Sequence, residues 1–548
     1  MQLRKKKGTA KGITITMSDR GKKEHKATIF HFPSAAGAAE AMAYVLAVTL
    51  SVMCVVVAFY AQDGYHQIGN AKFAVYKVTM LVGFSVFLAL GAVYLLFSLR
   101  EKRRWKVKLS VTDGCALAYL LFTTVSVVSG GFYEDALWGS FGWNMGWMSQ
   151  LSFVLIYLSL SRFGKHYRAI LPVYCGTAFC VFVIAVLHRM LIDPIGFYQG
   201  LQGYQMAQFL STMGQATWYA SYLVVALPVG IAVFLFARKT IWRVLGGIYT
   251  AVGFASLVTQ NSDSAYFAMA AFMLVFFWVS AESRETLNRF AEVCTLFFAS
   301  GKAMHFLMKV HPNPDLKYDF ITSLILDGTA AWILLGMCIF FSLFLYKRRN
   351  SPYPLTGMLR VRRAVLIVAV AAPFVTAGLI VLQSGGFLKG ELGDLLSTVS
   401  YFNWGSEWGN GRGRIWDFSI RVFMEESAVH KLFGVGPDCF SSYTAAVHGE
   451  EAALFWGRKI LTNAHNEWLN ALINTGIFGA AAYIGIFASA VGRFLKARRQ
   501  NFLLVGAAAS AASYMAYNFF CYQQVCCTPF AFMMLGIGAY VIETHCQK

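Results

Sequence analysis

The amino-acid sequence predicts an all-α, polytopic membrane protein. Of its 548 residues, 57% are hydrophobic and only 14% are charged, whereas soluble proteins carry about 25% charged residues. The hydrophobic residues occur in blocks of about 18–25, each long enough to span the hydrocarbon of a bilayer as a helix. The charge is strongly basic, with a formal net value of +20, and it lies in short segments between the blocks.

The hydrophobic blocks predict 12–14 spans, and fourteen is the count that fits the sequence best. The predicted spans are residues 38–60, 74–98, 110–129, 146–161, 170–188, 216–236, 243–259, 264–281, 289–307, 328–346, 364–383, 464–491, 502–519 and 527–542. The first block is too long for the apolar core of a signal peptide. Residues 1–37 precede it as a basic tail, which we expect to orient the chain, with binding of anionic lipid as the alternative.

The distribution of lysine and arginine predicts the orientation of the chain. If the tail is cytoplasmic, most basic residues fall in cytoplasmic loops, as the positive-inside rule requires. The chain then consists of N-terminal membrane helices over 38–383, an extracytoplasmic loop over 384–463, and C-terminal membrane helices over 464–548. Both termini are predicted to be cytoplasmic. One missing span would invert every later loop and destroy this agreement.

The same distribution excludes some classes of partner. Basic residues scattered over short loops indicate topogenic charge and do not predict a nucleic-acid-binding surface. The eleven cysteines lie mostly inside hydrophobic blocks, without the spacing of a zinc site or a disulfide framework. The nearest approach to a ligand cluster is Asp315 and Asp319 with His305 and His311, whose spacing is loose. We therefore predict a protein without a metal or another cofactor.

The long loop is expected to be folded. Apolar residues recur close to helical spacing from Arg414 to Phe433, which predicts a helix lying on the membrane surface. Gly434-Val435-Gly436-Pro437 should end it. Residues 440–456 favour a second helix.

One histidine stands where this loop meets the next predicted span. Thr462 and Asn463 are good N-cap residues, which places His465 in the first turn of that span. The partial positive charge of a helix N-terminus disfavours imidazolium, so the ring should stay neutral and able to accept a proton. Free backbone N–H groups there can also bind phosphate. The alternative is an interfacial histidine that only caps or anchors the helix.

Two arginines lie about fifty residues upstream in the same loop, in the stretch Asn410-Gly411-Arg412-Gly413-Arg414-Ile415-Trp416. A guanidinium presents a planar fork that matches phosphate geometry, and a diphosphate leaving group needs cations to stabilise its charge. The alternative is an arginine that binds lipid headgroups or a loop carboxylate such as Asp417 or Glu425. Trp416 and neighbouring tryptophans could stack on sugars, or could form an interfacial aromatic belt.

These motifs together resemble the O-antigen ligase and O-antigen polymerase superfamily. The resemblance is carried, in order, by Asn410-Gly411-Arg412, Ile415-Trp416, Phe433-Gly434-Val435-Gly436-Pro437, Ala464-His465-Asn466 and Gly476-Ile477-Phe478-Gly479. It covers roughly residues 400–490 well and defines a related region over 391–490. Upstream, the likeness is weaker.

The resemblance implies a GT-C-like membrane glycosyltransferase of the bacterial plasma membrane. Such enzymes take a glycan from undecaprenyl diphosphate on the outer face and pass it to a hydroxyl on a glycan, a lipid or a protein. The resemblance assigns His465 as general base or acceptor-positioning group, and Arg412 as the diphosphate-binding residue. Our own additions are Arg414 as a second diphosphate ligand, with Trp416 and Asn466 as sugar or acceptor contacts.

The chain departs from the family pattern at one position. The family usually has a second arginine at an outer span boundary, where this chain has Asp263. An aspartate cannot bind a diphosphate directly. It could hold an acceptor hydroxyl, pair with an arginine or cap the helix that follows. The candidates to replace the missing charge are Arg414, Lys302, Lys309, Arg421 and Arg458.

The predicted reaction is a metal-independent, inverting transfer, in which the histidine accepts the proton of the acceptor hydroxyl. A ligase, a polymerase and, less favoured, a protein O-oligosaccharyltransferase all fit the sequence. Two alternatives come from other classes: a transporter of a lipid-linked glycan or small solute, and a non-catalytic scaffold for envelope assembly. A transporter would place its essential charges near mid-membrane, whereas the candidates here cluster in one outer loop.

Overall fold

The computed structural model describes residues 34–103, 108–349, 356–457 and 460–546, together with the two short strands β1 (Thr14–Ile15) and β2 (Ala27–Thr28). The α-helices are α1 Ala35–Phe59, α2 Ile68–Arg100, α3 Val111–Gly130, α4 Tyr133–Trp138, α5 Trp147–Phe163, α6 Tyr167–Arg189, α7 Gly203–Gln208, α8 Ala216–Phe236, α9 Thr240–Thr259, α10 Asp263–Ser280, α11 Arg284–Val310, α12 Phe320–Leu326, α13 Thr329–Lys347, α14 Thr356–Ser384, α15 Glu391–Ser397, α16 Trp408–Glu425, α17 Ala428–Phe433, α18 Phe440–Val447, α19 Gly449–Trp456, α20 Glu467–Ala497, α21 Leu503–Tyr517 and α22 Thr528–Cys546. Strands β3 (Phe209–Leu210) and β4 (Gly214–Gln215) pair antiparallel, and 3₁₀ turns occupy Gly164–His166 and Ser400–Phe402.

The all-α membrane architecture is confirmed. Each of the fourteen predicted spans coincides with a helix. Within the described residues, ten stretches are long and apolar enough to cross a bilayer, and one of them, Trp147–Arg189, contains both α5 and α6. Helices α21 and α22 are apolar but shorter, and α11 carries charged residues along its length. The count of fourteen spans therefore stays a prediction.

Helix α8 forms the centre of the bundle, with α6, α9, α10 and α21 packed around it. Pro228 interrupts its hydrogen bonding, because proline has no N–H to donate to the carbonyl four residues earlier, that of Val224. The hydroxyl of Ser513 on α21 donates to that carbonyl instead, and Ser510 donates to the carbonyl of Val225 at 2.8 Å. This compensation matters in hydrocarbon, where water cannot satisfy a backbone group. The two serines thus fix α21 against the central helix.

Helix α14 lies at the opposite extreme, because the hydrophobic stretch of this helix buries none of its residues within the protein. Its apolar side chains project outward on all sides, as expected of a helix surrounded mainly by lipid. It contacts α10, α15 and the 3₁₀ turn at Ser400–Phe402. The peripheral helix therefore leads the chain from the bundle into the long loop.

The long loop is folded onto one end of the bundle. The stretch 414–433, predicted as one helix, is helical but divided into α16 and α17, because Ser427 caps a new helix after Glu425. The stretch 440–456, also predicted as one helix, is divided into α18 and α19 at His448. Gly434 ends α17 with a φ of 82°, in the left-handed region that favours glycine. These helices hold the loop in one place over the ends of the membrane helices.

The loop is docked at a break in α20. Gly476 has a φ of 67° inside this helix, which frees the preceding carbonyl groups. The N–H groups of Val435 and Gly436 donate to the carbonyls of Ile473 and Asn474 at 3.0 and 2.9 Å. The approach is so close that a Cβ on Gly476 would meet the backbone of residues 432–433 at 2.4 Å. Two of the motifs that carry the family resemblance thus pack against one another.

Candidate active site

His465 lies just before the helix that the sequence predicted to contain it. Helix α20 begins at Glu467, and its N-cap is Asn466, whose side-chain oxygen accepts from the N–H groups of Trp468 and Leu469 at 2.9 and 3.2 Å. The prediction of His465 in the first turn is wrong. The side chain of Asn463 accepts the N–H of His465 at 2.9 Å and so closes a turn, and His465 has a left-handed φ of 47°. A helix cannot begin on a residue in this conformation.

Arg412 stands at the start of the regular part of α16. The three preceding residues, Gly409 to Gly411, all have positive φ values between 60° and 84°. This left-handed turn folds back, so that the Nη1 of Arg412 donates to the carbonyl of Gly409 at 2.8 Å. Its Nη2 donates to the carbonyl of Phe520 at 3.2 Å, and its buried Nε has no partner among the described residues. The guanidinium is positioned and still has a free donor.

The two candidate residues meet at the α21–α22 loop, residues 518–527. Arg412 reaches this loop through Phe520, and the imidazole of His465 packs edge-on against the ring of Tyr522 with 5.3 Å between centroids. The loop is tied to α20, because Glu467 donates its N–H to the carbonyl of Asn518 and accepts the N–H of Gln523, both at 2.8 Å. A segment from the last helical hairpin therefore holds together two motifs of the long loop.

Sequence reasoning missed the α21–α22 loop as part of the site. The signal available was its predicted side of the membrane, which is the same as that of the long loop, and its polar pair Gln523-Gln524. It also missed Trp218 in the first turn of α8, whose Nε1 donates to the hydroxyl of Tyr522 at 2.9 Å. Trp218 and Tyr522 together support the face of the site against which the imidazole of His465 packs.

The electrostatics of the site favour a neutral imidazole. Burial, and secondly the positive charge of Arg412, lower the pKa of His465 to about 4. The sequence also predicted a neutral imidazole, but from a different cause, because the partial positive charge of a helix N-terminus was expected to lower the pKa. The influence of Arg412 on the ring also shows that the guanidinium lies close enough to act on it. A proton acceptor and a cation thus share one half-buried region.

The structure separates Arg414 from Arg412. The Nη2 of Arg414 donates to Glu407 at 2.8 Å, and its Nη1 reaches the carbonyl of Phe455 at 3.4 Å. Among the other candidates for a second cation, Arg421 pairs with Glu451, and Lys302 donates to two carbonyls at the end of α12. Lys309 is exposed, and Arg458 lies outside the described residues. None of the four described candidates is brought to the imidazole by the contacts found.

Trp416 belongs to an aromatic cluster beside the site. Its ring lies 5.4 Å from that of Trp408, 6.0 Å from that of Trp404 and 6.3 Å from that of Phe520, measured between centroids. The Nε1 of Trp416 is buried and has no partner among the described residues. Asn466, by contrast, uses its side-chain oxygen to cap α20. The cluster offers a stacking surface, and a role of either residue in sugar binding stays a prediction.

Asp263 joins three segments near Arg412. Its Oδ1 accepts the N–H of Ile321 at 3.0 Å, and its Oδ2 accepts the hydroxyl of Tyr401 in the long loop. Burial and the charge of Asp263 raise the pKa of neighbouring Asp319, while the charge of Arg412 opposes this shift. The carboxylate that replaces the expected arginine therefore binds hydroxyl and amide donors at the edge of the site.

The loosely spaced cluster considered for a metal does not assemble. The Nδ1 of His305 lies 3.0 Å from the Oδ1 of Asp327, and the N–H of Asp319 donates to Asn261. Within the described residues, no three His, Cys, Asp or Glu side chains form a group able to hold a metal ion.

Comparison with known families supports the resemblance seen in the sequence. Residues 320–484 match the family model described as O-antigen ligase. The match confirms the likeness to the O-antigen ligase superfamily over this part of the chain, and it contains α12–α14, the long loop and the first half of α20. No curated protein matches the chain.

Proposed function

We propose that this protein is a membrane glycosyltransferase that moves a glycan from undecaprenyl diphosphate to an acceptor hydroxyl at the outer face of the bacterial plasma membrane. The family match supports an enzyme of the O-antigen ligase or polymerase type. The observation that carries the proposal is the convergence of His465 and Arg412 on the α21–α22 loop. This end of the bundle is the one that the charge pattern predicts to face outside.

The proposed reaction needs no metal. Arg412 binds the lipid diphosphate, and its unpartnered Nε provides a further donor for a phosphate oxygen. The acceptor oxygen attacks the anomeric carbon, its proton passes to the imidazole of His465, and the carbon–oxygen bond to the diphosphate breaks with inversion. The electron pair of that bond leaves on the diphosphate, where the guanidinium stabilises it. A positioned base typically contributes ~10²–10⁴ in rate.

Two carboxylates of the membrane helices, the buried Asp113 and the half-buried Glu292, support an enzyme over a transporter. Asp113 closes a capping box with Ser110 at the start of α3 and pairs with Arg162 at 2.8 Å. Glu292 accepts from Asn288 one turn away on the same helix at 2.8 Å. Asp113 thus caps a helix end, and Glu292 pairs along a helix surface. A transporter would instead need charged residues around broken helices at mid-membrane.

The proposal is tested by expressing His465→Ala and Arg412→Ala in cells that lack the native gene. Surface glycan is separated on a gel, and membrane insertion is verified by immunoblotting. Matched controls come from the same loop: His430→Ala and Arg421→Ala remove the same side chains away from the α21–α22 loop. Loss of glycan is expected in the first pair and retention in the second. Unchanged glycan with normally inserted His465 and Arg412 variants would refute an enzymatic role for this site.

A further inference from the structure

A fully buried guanidinium stands at the end of α6, outside the motifs that carry the family resemblance. Arg189 is 1% exposed. Its Nε donates to the carbonyl of Thr259 at 2.6 Å and its Nη1 to the carbonyl of Ala207 at 3.1 Å. Its Nη2 has no hydrogen-bond partner, and no carboxylate pairs with the guanidinium, among the residues that the structure describes.

A structural role at helix ends explains only part of the hydrogen bonding of Arg189. Arg189 ends α6, and Thr259 ends α9, so the guanidinium lies at two helix C-termini whose partial negative charge favours a cation. That role uses Nε and Nη1. It leaves the Nη2 donor unsatisfied, although an unsatisfied donor on a buried charged group is costly. An anionic ligand would satisfy it.

Arg189 is located at the turn where the family arginine is missing. The carbonyl that binds its Nε belongs to Thr259, and the turn after it leads through Asn261 to Asp263. Asn261 holds the 311–319 loop over this turn, donating to the carbonyl of Lys317 at 2.7 Å and accepting the N–H of Asp319 at 2.9 Å.

The first turn of α8 connects this place with the candidate active site. Trp218 donates to Tyr522, the residue against which His465 packs, and the carbonyl of Thr217 accepts the hydroxyl of Tyr517 at 2.9 Å. The Ala207 carbonyl that accepts from Arg189 lies just before strand β3, and β3 pairs with β4, which leads directly into α8. The β3–β4 hairpin thus joins the Arg189 region to the first turn of α8, which is hydrogen-bonded to α21 and to the α21–α22 loop.

We infer that Arg189 is the second diphosphate-binding cation of this protein, supplied from α6 in place of the arginine that the chain lacks at Asp263. The inference rests on the proposed function and adds one residue to it. Arg412 binds one phosphate of the lipid carrier, and Arg189 binds the other through Nη2. Because Arg189 is buried and Asn261 holds the 311–319 loop two residues beyond the Thr259 carbonyl that Arg189 binds, donor binding is expected to displace that loop from the α9–α10 turn.

The test compares binding of undecaprenyl diphosphate and undecaprenyl monophosphate to the full-length protein in nanodiscs. Arg189→Met and Arg189→Lys are measured beside Lys72→Met. Lys72 is a matched control, because it is also a buried cation at a helix end, but its ammonium donates to three carbonyls, of Val57, Ala58 and Tyr60. Thermal unfolding of each variant in the absence of lipid reports whether it is folded.

A charge-assisted hydrogen bond to one phosphate predicts that Arg189→Met weakens diphosphate binding about 10- to 100-fold and leaves monophosphate binding unchanged. Arg189→Lys should retain part of the preference, and adding Asp263→Arg to Arg189→Met should restore part of it. Lys72→Met should keep the full preference. Folded Arg189 variants with an unchanged preference would overturn the inference.

A second measurement covers the case in which the Arg189 variants do not fold. Hydrogen exchange in the unaltered protein should change at residues 259–262 and 311–319 with the diphosphate and not with the monophosphate. Equal responses to both lipids would overturn the inference. If the unaltered protein binds neither lipid, or if Arg412→Ala leaves binding of both intact, the proposed function itself fails. The two failures are therefore distinguishable.

Discussion

The neutral imidazole of His465 determines how the transfer rate should depend on pH. Burial and the charge of Arg412 lower the pKa of this group to about 4, whereas an exposed histidine titrates near 6.5. At pH 5.5, a base with the lower pKa is about 97% neutral, and an unperturbed histidine is about 9% neutral. We therefore expect about tenfold more activity at pH 5.5 than an ordinary histidine would allow.

The assay is transfer of a radiolabelled glycan from its lipid carrier in proteoliposomes, measured at low donor concentration. Under this condition kcat/KM reports the free enzyme, so its acid limb should have a midpoint close to pH 4. The profile of kcat should have a higher midpoint, because the bound diphosphate places negative charge near the ring and favours its protonated form. The difference between the profiles measures that charge.

Two substitutions at Tyr522 separate the causes of the shift. Tyr522→Ala removes the ring that shields the imidazole, so water should enter and the midpoint of kcat/KM should rise towards 6.5. Tyr522→Phe retains the ring and loses only the hydroxyl that accepts from Trp218, so the midpoint should stay low. A midpoint near 6.5 in the unaltered protein would refute the burial of the catalytic base. Identical profiles for Tyr522→Ala and the unaltered protein would refute the shielding role of the ring.

Three further predictions concern the loop and its attachment. Gly476→Ala should abolish the folded protein, because the added Cβ would meet the backbone of the docked loop at 2.4 Å. In Gly492→Ala, on the same helix, the added Cβ would meet nothing within 4 Å, so this variant should be more stable by up to ~1 kcal/mol. Melting curves in detergent compare the two variants. Arg412→Gln should lower the rate of glycan transfer ~10²–10³-fold. Arg414→Gln should lower it less than ~10-fold, because Glu407 holds the Arg414 side chain at the surface. Equal losses in the two variants would contradict the separation of the two arginines. Burial raises the pKa of Glu426 to about 8 and that of Asp438 to about 7, so the protein should lose thermal stability as pH rises from about 4.5 towards 8. Glu426→Gln should weaken that dependence and leave the part due to Asp438. A variant with the same pH dependence as the unaltered protein would show that Glu426 does not contribute.

The sequence was sufficient for the long apolar helices because each of them carries a local signal, whereas the short helices α4, α7, α12 and α15 were not predicted. A hydrophobic block of the required length must be helical in a bilayer, since no other conformation satisfies its backbone there. In the loop, helical spacing predicted one helix over residues 414–433 and Gly434 its end; the end is confirmed, but the chain forms two helices, because Ser427 caps a new helix after Glu425. The start of α20 was misplaced, because Thr462, Asn463 and Asn466 all have side chains able to cap a helix. Only the folded chain shows that Asn463 closes a turn on His465 and leaves the cap to Asn466.

The sequence by itself determined the membrane architecture, the distribution of basic charge that predicts orientation, and the two candidate residues His465 and Arg412. Hydropathy, charge and the order of motifs are local properties of the chain. The tertiary structure alone decided which residues meet. Arg412 and Arg414 are two positions apart, yet one reaches the α21–α22 loop and the other pairs with Glu407. Arg189 ends α6, yet it donates to the carbonyl of Thr259 at the end of α9, 70 positions later in the sequence. Contacts between distant segments depend on how helices pack, and packing is a property of the whole bundle that no local pattern contains.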